Sequence, residues 1–454
     1  MDFWGAEPTA TKFYAKNTNA NALGREFVAY LFAHDDSEEG MIQCGSYTGN
    51  GSTTGPIIDL GFEPQWLMIK RSSDVSGWYI MDSMRGLPVD GPANNTATRS
   101  LQAQESNAEG TSTSSDVDIN PTGFQCTTDS NGSNANGSTY IYMAIRRPNK
   151  PPESGTEVFS PVTSTGTGSA RTLSGSFPTD LTFMHQREAT DDGRTFAWDR
   201  LRGASAMLQF TNTSAEAGIN GVSFDVQNGM GLTGSGFSNF NTAPYITYLF
   251  KRATGFFDVV AYEGDGVAGR EVPHNLGVAP ELMIVKKRNS SRVWAVWASG
   301  IDIDDYLTLN GSAGVTTFGL WQSTLPTATQ ITLGTDASVN GSGDNYIAYL
   351  FASVPGISDI GTYTGLGPQQ VHVDCGFTNG ARFVLIKRTD AAGDWMVFDT
   401  IRGITDSDSP MLKLNEEDAE VSGSFIRLNP EGFRVVAGPD LNLVGGKYIY
   451  MAIA

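Results

Sequence analysis

The chain has 454 residues, a length that suggests three to four domains rather than one. It is 39% apolar, enough for real cores, and its 52 glycines exceed the usual share of about 7%, which suits short strands with many turns and argues against a helical protein. Forty-nine acidic against 30 basic residues leave a net charge of −19, which repels phosphate backbones and sets nucleic acid aside as a partner.

No apolar run approaches the 18 or so residues of a membrane span, so membrane insertion is not expected. The opening "MDFWGAEPTATK" lacks the basic-then-apolar order of a signal peptide. Cys44, Cys126 and Cys375 are an odd, sparse set, neither a disulfide framework nor a metal pair. His34, His185, His274 and His372 are scattered singly, with no Ser or Cys in a nucleophile setting.

Read in chain order, one strand-like phrase recurs five times: "FVAYLFA" at Phe27, "YIYMAIR" at Tyr140, "YITYLFK" at Tyr245, "YIAYLFA" at Tyr346 and "YIYMAIA" at Tyr448. The steps are 113, 105, 101 and 102 residues. A second phrase keeps the same period: "LMIKR" ending at Arg71, "FMHQR" at Arg187, "MIVKK" at Lys287 and "VLIKR" at Arg388. A period near 100 exceeds that of solenoid units, so each copy is a small domain. Both phrases are short, nearly continuous apolar runs, the pattern of strands buried on both faces. The third phrase, "DWMVFDTIRG", predicts a strand leading into a turn at Gly403.

Asn-Gly pairs at Asn50, Asn131, Asn136, Asn310 and Asn340 supply the positive φ values of tight hairpins. Sustained helical periodicity is missing; "ASAMLQF" and "SAEAG" are expected to make one helical turn each. The reading is all-β, with one small antiparallel sandwich per repeat. Boundaries fall where the composition turns polar or Pro-rich: residues 1–33 form the C-terminal part of a preceding module, and 34–147, 148–252, 253–352 and 353–454 form repeats one to four. The first 33 residues match the end of the third repeat, sharing Pro-Thr-Ala-Thr at Pro8 and Pro326. They would be a module's tail without its head, either continuing a longer protein or completed by another chain. Four domains of this size in a row predict a rod on the order of 140 Å long.

The combination "YIAYLFA…GISDIGTYTGLG…VDCGFTNGARFVLIKRTDAAGDWMVFDTIRG…GFRVV…YIYMAIA" resembles repeats in tail-fibre and other virion structural proteins of marine bacteriophages. The likeness is closest for the fourth copy and nearly as good for the first. The second copy departs with "FSPVTSTGTG", and the third shows "WASGID" in place of Asp-x-x-Arg-Gly. The resemblance implies jelly-roll or concanavalin A-like, lectin-type sandwiches in a virion, outside the cell. It implies partners among other virion proteins and copies of itself, including a homotrimeric fibre, and a host-surface glycan. It carries no catalytic motif and no cofactor.

The strongest local constellation is Asp-x-x-Arg-Gly after a Trp-containing strand: Asp82 and Arg85, Asp199 and Arg202, Asp399 and Arg402. Such a set could bind sugar hydroxyls, but three recurrences in tandem favour a structural turn in which Arg pairs Asp and Gly takes a special φ. The tryptophans mostly sit in strand phrases and read as core; any exposed one would be the first sugar-stacking candidate. "GMGLTG" at Gly229 fits a dinucleotide pattern without the flanking strand and helix, so it reads as a Gly-rich loop. "DIDD" at Asp302 and "TDSDS" at Thr405 read as solvated turns rather than cation sites. The sequons Asn94-Asn95-Thr96 and Asn212-Thr213-Ser214 carry no assigned role. The functional expectation is a structural and adhesive virion protein, not an enzyme, acting by avidity. The alternatives are a polysaccharide-cleaving enzyme on a lectin-like fold and a bacterial surface adhesin.

Overall fold

The computed structural model describes residues 6–16, 21–37, 40–87, 99–111, 116–188, 195–234, 236–405, 407–436 and 438–454. It is all-β: the described helices are one turn at Pro439–Asn442 and a 3-10 turn at Gly155–Glu157. "ASAMLQF" and "SAEAG" depart from the helical expectation, forming strands Ala206–Gln209 and Ala217–Gly218. The outer strand of a sheet needs partners for its backbone groups, and these two segments pair with each other.

Each repeat builds one large antiparallel sheet in the same order. A first strand (Ile42–Thr48, Phe159–Thr165, Phe257–Glu263, Ser358–Thr364) pairs with the tyrosine strand (Thr139–Arg146, Pro244–Phe250, Asn345–Phe351, Lys447–Ile453). The tyrosine strand pairs with the central strand that carries "LMIKR" or its counterpart: Pro64–Arg71, Leu181–Gln186, Leu282–Lys287 or Phe383–Arg388. Next come a tryptophan strand (Trp78–Asp82, Thr195–Asp199, Trp294–Ala298, Trp395–Asp399) and an outer strand (Arg99–Gln102, Ala206–Gln209, Asp305–Thr308, Leu412–Lys413). A small second sheet closes each sandwich, as with Val371–Asp374, Gly432–Val435 and Ile426–Asn429 in the fourth module.

Tyr140, Tyr245, Tyr346 and Tyr448 occupy equivalent buried places on the tyrosine strands. Each phenol is satisfied by a backbone N–H five residues upstream, from Ala135, Phe240, Gly341 and Leu443. Buried hydroxyls need such partners.

In modules two to four the face between the two sheets holds that module's own core, whereas the core of module one, around Leu67, Ile69, Phe124 and Tyr140, is continuous with a larger shared cluster. The other face of the large sheets is also buried in modules two to four, and its side chains join in one shared cluster. Phe159 and Tyr248 of module two meet Phe383 of module four, and Phe250 of module two meets Phe257 and Phe351 of module three. Modules two, three and four therefore close into a three-membered ring, their large sheets facing a common apolar centre. The rod expectation is corrected here: in this sequence continuous apolar strands leave a second hydrophobic face, and the modules bury it against one another.

The shared centre makes the ring one cooperative unit. Trp294→Ala, which empties a fully buried site against Phe210 of module two, should cost about 3–5 kcal/mol. Hydrogen exchange is expected to show lost protection in modules two and four as well as three; a loss confined to module three would refute the shared unit.

Candidate functional site

Two of the three Asp–Arg pairs expected from the sequence lie at seams of this ring, and the third, Asp82 with Arg85, lies in module one outside it. In module two, Arg202 Nε donates to Asp199 Oδ2 at 2.6 Å, and its backbone N–H donates to Asp199 Oδ1 at 2.8 Å. Arg402 makes the same pair with Asp399 at 2.5 Å and 2.9 Å. Arg85 pairs Asp82 at 2.6 Å. Each Arg also donates to a carbonyl of its own tryptophan strand: Ile80, Ala197 and Val397. The following glycines, Gly86, Gly203 and Gly403, have φ of 127°, 86° and 104°, the region a side chain disfavours.

Two of the three pairs are completed by a neighbouring module. The Tyr349 hydroxyl of module three donates to Asp199 Oδ2, and that of Tyr248 in module two donates to Asp399 Oδ2, both at 2.7 Å. Burial and the adjacent carboxylates raise both phenols well above their ordinary pKa. A second acid lies beside each pair: Glu216 bridges Arg202 and Arg288 of module three, and Glu420 bridges Arg402 and Arg187 of module two. Burial opposes the charge on Arg202, but Asp199, Tyr349 and Glu216 outweigh it and hold its pKa above the usual range. Burial raises Glu216, yet Arg288 and Arg202 prevail and lower it.

The seam between modules three and four carries none of these groups. Ala298 stands at the Asp position, Met451 at the Tyr, Val315 at the Glu and Thr389 at the Arg. A cavity of about 10 Å³ remains there, room for about one water. The polar set is absent as a whole, so no buried charge is left without its partner.

A backbone pattern common to all three seams lies outside the side-chain chemistry. The N–H of Glu216, Val315 and Glu420 donates to the carbonyl of Arg288, Thr389 and Arg187 in the next module. The indoles of Trp294 and Trp395 donate to the last carbonyl of the preceding module's outer strand, Gln209 and Thr308, both at 2.8 Å. Lys286 Nζ donates to Thr213 O and Lys387 Nζ to Ser312 O. His185 takes the lysine's place at the seam between modules four and two, beside the Asp418 backbone. Burial pushes its imidazole down to about 4.

A separate charged cluster fastens module one to the ring. Arg252 grips Glu63 with two bonds of 2.6 and 2.7 Å, and Arg147, Arg200, Asp180 and Asp258 complete a balanced, buried set. The sequence reading missed it. Its signal was the charge packed into the junction phrases "RRPNK" and "KRATG" at the strand ends.

The other candidates resolve as scaffold. Trp198, Trp294, Trp321 and Trp395 are fully buried, whereas Trp78 is 36% exposed. "GMGLTG" is not a loop: Gly229–Leu232 is a buried strand, and a Cβ at Gly229 would stand 2.0 Å from Leu173 O. Asp302 Oδ1 accepts from the Asp304 N–H, and Asp304 Oδ1 accepts from the Ser323 hydroxyl, so both carboxylates cap turns. In "TDSDS", Asp408 accepts from the Gly423 N–H. The Asn212 sequon lies in a seam, whereas Asn94 and Asn95 lie outside the described residues. All three cysteines are free. Among the described residues no group of acids, histidines or cysteines is placed to hold a metal ion.

Fold and site together define a multi-module all-β protein whose buried ion pairs join sandwiches. The chain matches a family described as a domain of unknown function, DUF7483, over residues 2–148 and 154–454, and it belongs to that family. The longer stretch coincides with the three-module ring, and the break falls in the Pro-rich junction. No curated protein matches the chain.

Asp399→Ala should cost about 3–5 kcal/mol in denaturant unfolding by stranding Arg402, and Tyr349→Phe about 1–3 kcal/mol. The folded pKa of His185 is depressed, so the unfolded chain takes up a proton that the native ring refuses. Its contribution is present above pH about 6.5 and is lost as pH falls toward about 4, on the order of a few kcal/mol. In unfolding titrations His185→Gln should flatten the stability slope across that window; an unchanged slope would exclude the role.

Proposed function

We propose that this chain is a structural and adhesive component of a bacteriophage virion, part of a tail or capsid fibre, whose lectin-like modules contact host-surface glycans. The carrying observation is the use of the repeated Asp–Arg pairs. Two of the three are buried in the ring and consumed in holding modules together, so the repeated charged constellation serves cohesion there. The closed ring suits a compact head rather than a spacer. It turns the small sheets outward. Repeated weak contacts from such a head multiply into firm attachment. The acidic surface keeps non-specific sticking low.

The test combines three measurements on the purified chain: antibody labelling of intact particles, binding to host cells with soluble glycan as competitor, and assay of treated glycans for new reducing ends. Decorated particles, competed binding and no reducing ends are expected. Decoration without binding would reduce the protein to a spacer, and released ends would make it a polysaccharide-cleaving enzyme.

A further inference from the structure

Module one repeats the tryptophan, the lysine and the Asp–Arg pair of the seams, but among the described residues no other module packs on its seam face. Its central strand "PQWLMIKR" is as apolar as its counterparts, yet it is only half-buried, whereas Leu181–Gln186 and Leu282–Lys287 are buried at every position. Ile141 is 40% exposed; its equivalents Ile246, Ile347 and Ile449 are 0%, 0% and 4% exposed. Trp78 is 36% exposed, against 0% for Trp294 and 1% for Trp395. Its indole N–H has no acceptor among the described residues, whereas theirs cross a seam. A contiguous apolar face of this kind marks an interaction surface.

We propose that module one forms the same ring with the first modules of two further copies of the chain, making a homotrimer. Module one carries both halves of the seam. On one side are Trp78, Lys70 and the Ser72 carbonyl, equivalent to Trp294, Lys286 and Arg288. On the other are the Gln102 carbonyl, the loop at Ser106 and the Glu109 N–H, equivalent to Gln209, Thr213 and Glu216. The contact is therefore head-to-tail, and a head-to-tail contact closes or grows according to its rotation. The rotation can be read within this chain: three copies of the contact close a ring in modules two to four. A second copy therefore leaves one seam open, and a third closes it.

The charges on the face suit this arrangement without extra partners. Asp82 is satisfied by Arg85 and by the Met84 and Arg85 N–H groups, and Glu109 by Arg85 and Arg99. Met143 holds the place of the seam tyrosine and Ser72 that of the seam arginine, so the trimer gains no cross-seam ion pair. It rests on the apolar face, the indole and lysine bonds and the backbone bond, and it is looser than the ring inside each chain. The inference stands apart from the proposed virion role, since a trimer can form whatever the modules bind.

Light scattering after size exclusion of the full chain tests it. Three times 48.6 kDa is expected, falling to the monomer on dilution. Ile141→Asp and Trp78→Ala each alter a side chain exposed in the lone chain, so each should yield a monomer with unchanged circular dichroism. Oxidative footprinting of the wild type reads the seam without any substitution, and Trp78 should be protected in the trimer fraction and labelled in the monomer. A wild type that stays monomeric or stops at a dimer overturns the inference. So does a trimer that persists in both variants or leaves Trp78 freely labelled.

Discussion

The structure depends on one constraint: a sheet that is apolar on both faces must be covered on both. In modules two to four the small sheet covers one face and neighbouring modules cover the other. A lone sandwich of this kind would leave Phe183, Ile284 or Leu385 in water, at a cost of about 1.5–3 kcal/mol for each such side chain. Closing three modules around a common centre removes all of these faces at once. The ring is thus a property of the strand composition before it is one of any particular contact.

The seams show how such a ring tolerates variation. Asp199, Arg202, Tyr349, Glu216 and Arg288 form one network, and Asp399, Arg402, Tyr248, Glu420 and Arg187 form its copy. At the third seam all five positions are occupied by uncharged residues. A partial exchange would leave an unpaired charge in a dry site, at a cost of about 3–5 kcal/mol, whereas the complete exchange is close to neutral. At the seams of the ring the buried polar set therefore behaves as a unit, present or absent together.

Much of the module was legible in the sequence. The unbroken apolar runs around Ile284 and Ile386 announced two-sided burial, and the 100-residue period announced the copies. The rod was wrong because the strands said that a second face is covered without saying by what. Covalent adjacency suggests a line, whereas burial of that face requires a closed figure. The Asp-x-x-Arg-Gly motif announced a turn, but Tyr349 lies 150 residues from Asp199, and no spacing rule connects them. Nor did the sequence distinguish Trp78 from Trp294. Both stand in the same phrase and differ only in whether a neighbour is present.

Comparison of the four copies separates what a module needs alone from what it needs beside another. Asn134, Asn239, Asn340 and Asn442 each stand six residues before the strand tyrosine and are buried. Each side-chain oxygen accepts a backbone N–H from the loop after the first strand, at Asn50, Thr167, Asp265 and Leu366. This Asn-x5-Tyr pair ties two loops to the sheet inside one module, and it is unchanged in all four. The signal was present in the sequence and went unread. The seam positions, by contrast, change identity from copy to copy, because each answers to a different neighbour. A side chain that never varies across the copies is thus holding its own module together, and one that varies in concert with a distant partner marks where modules meet.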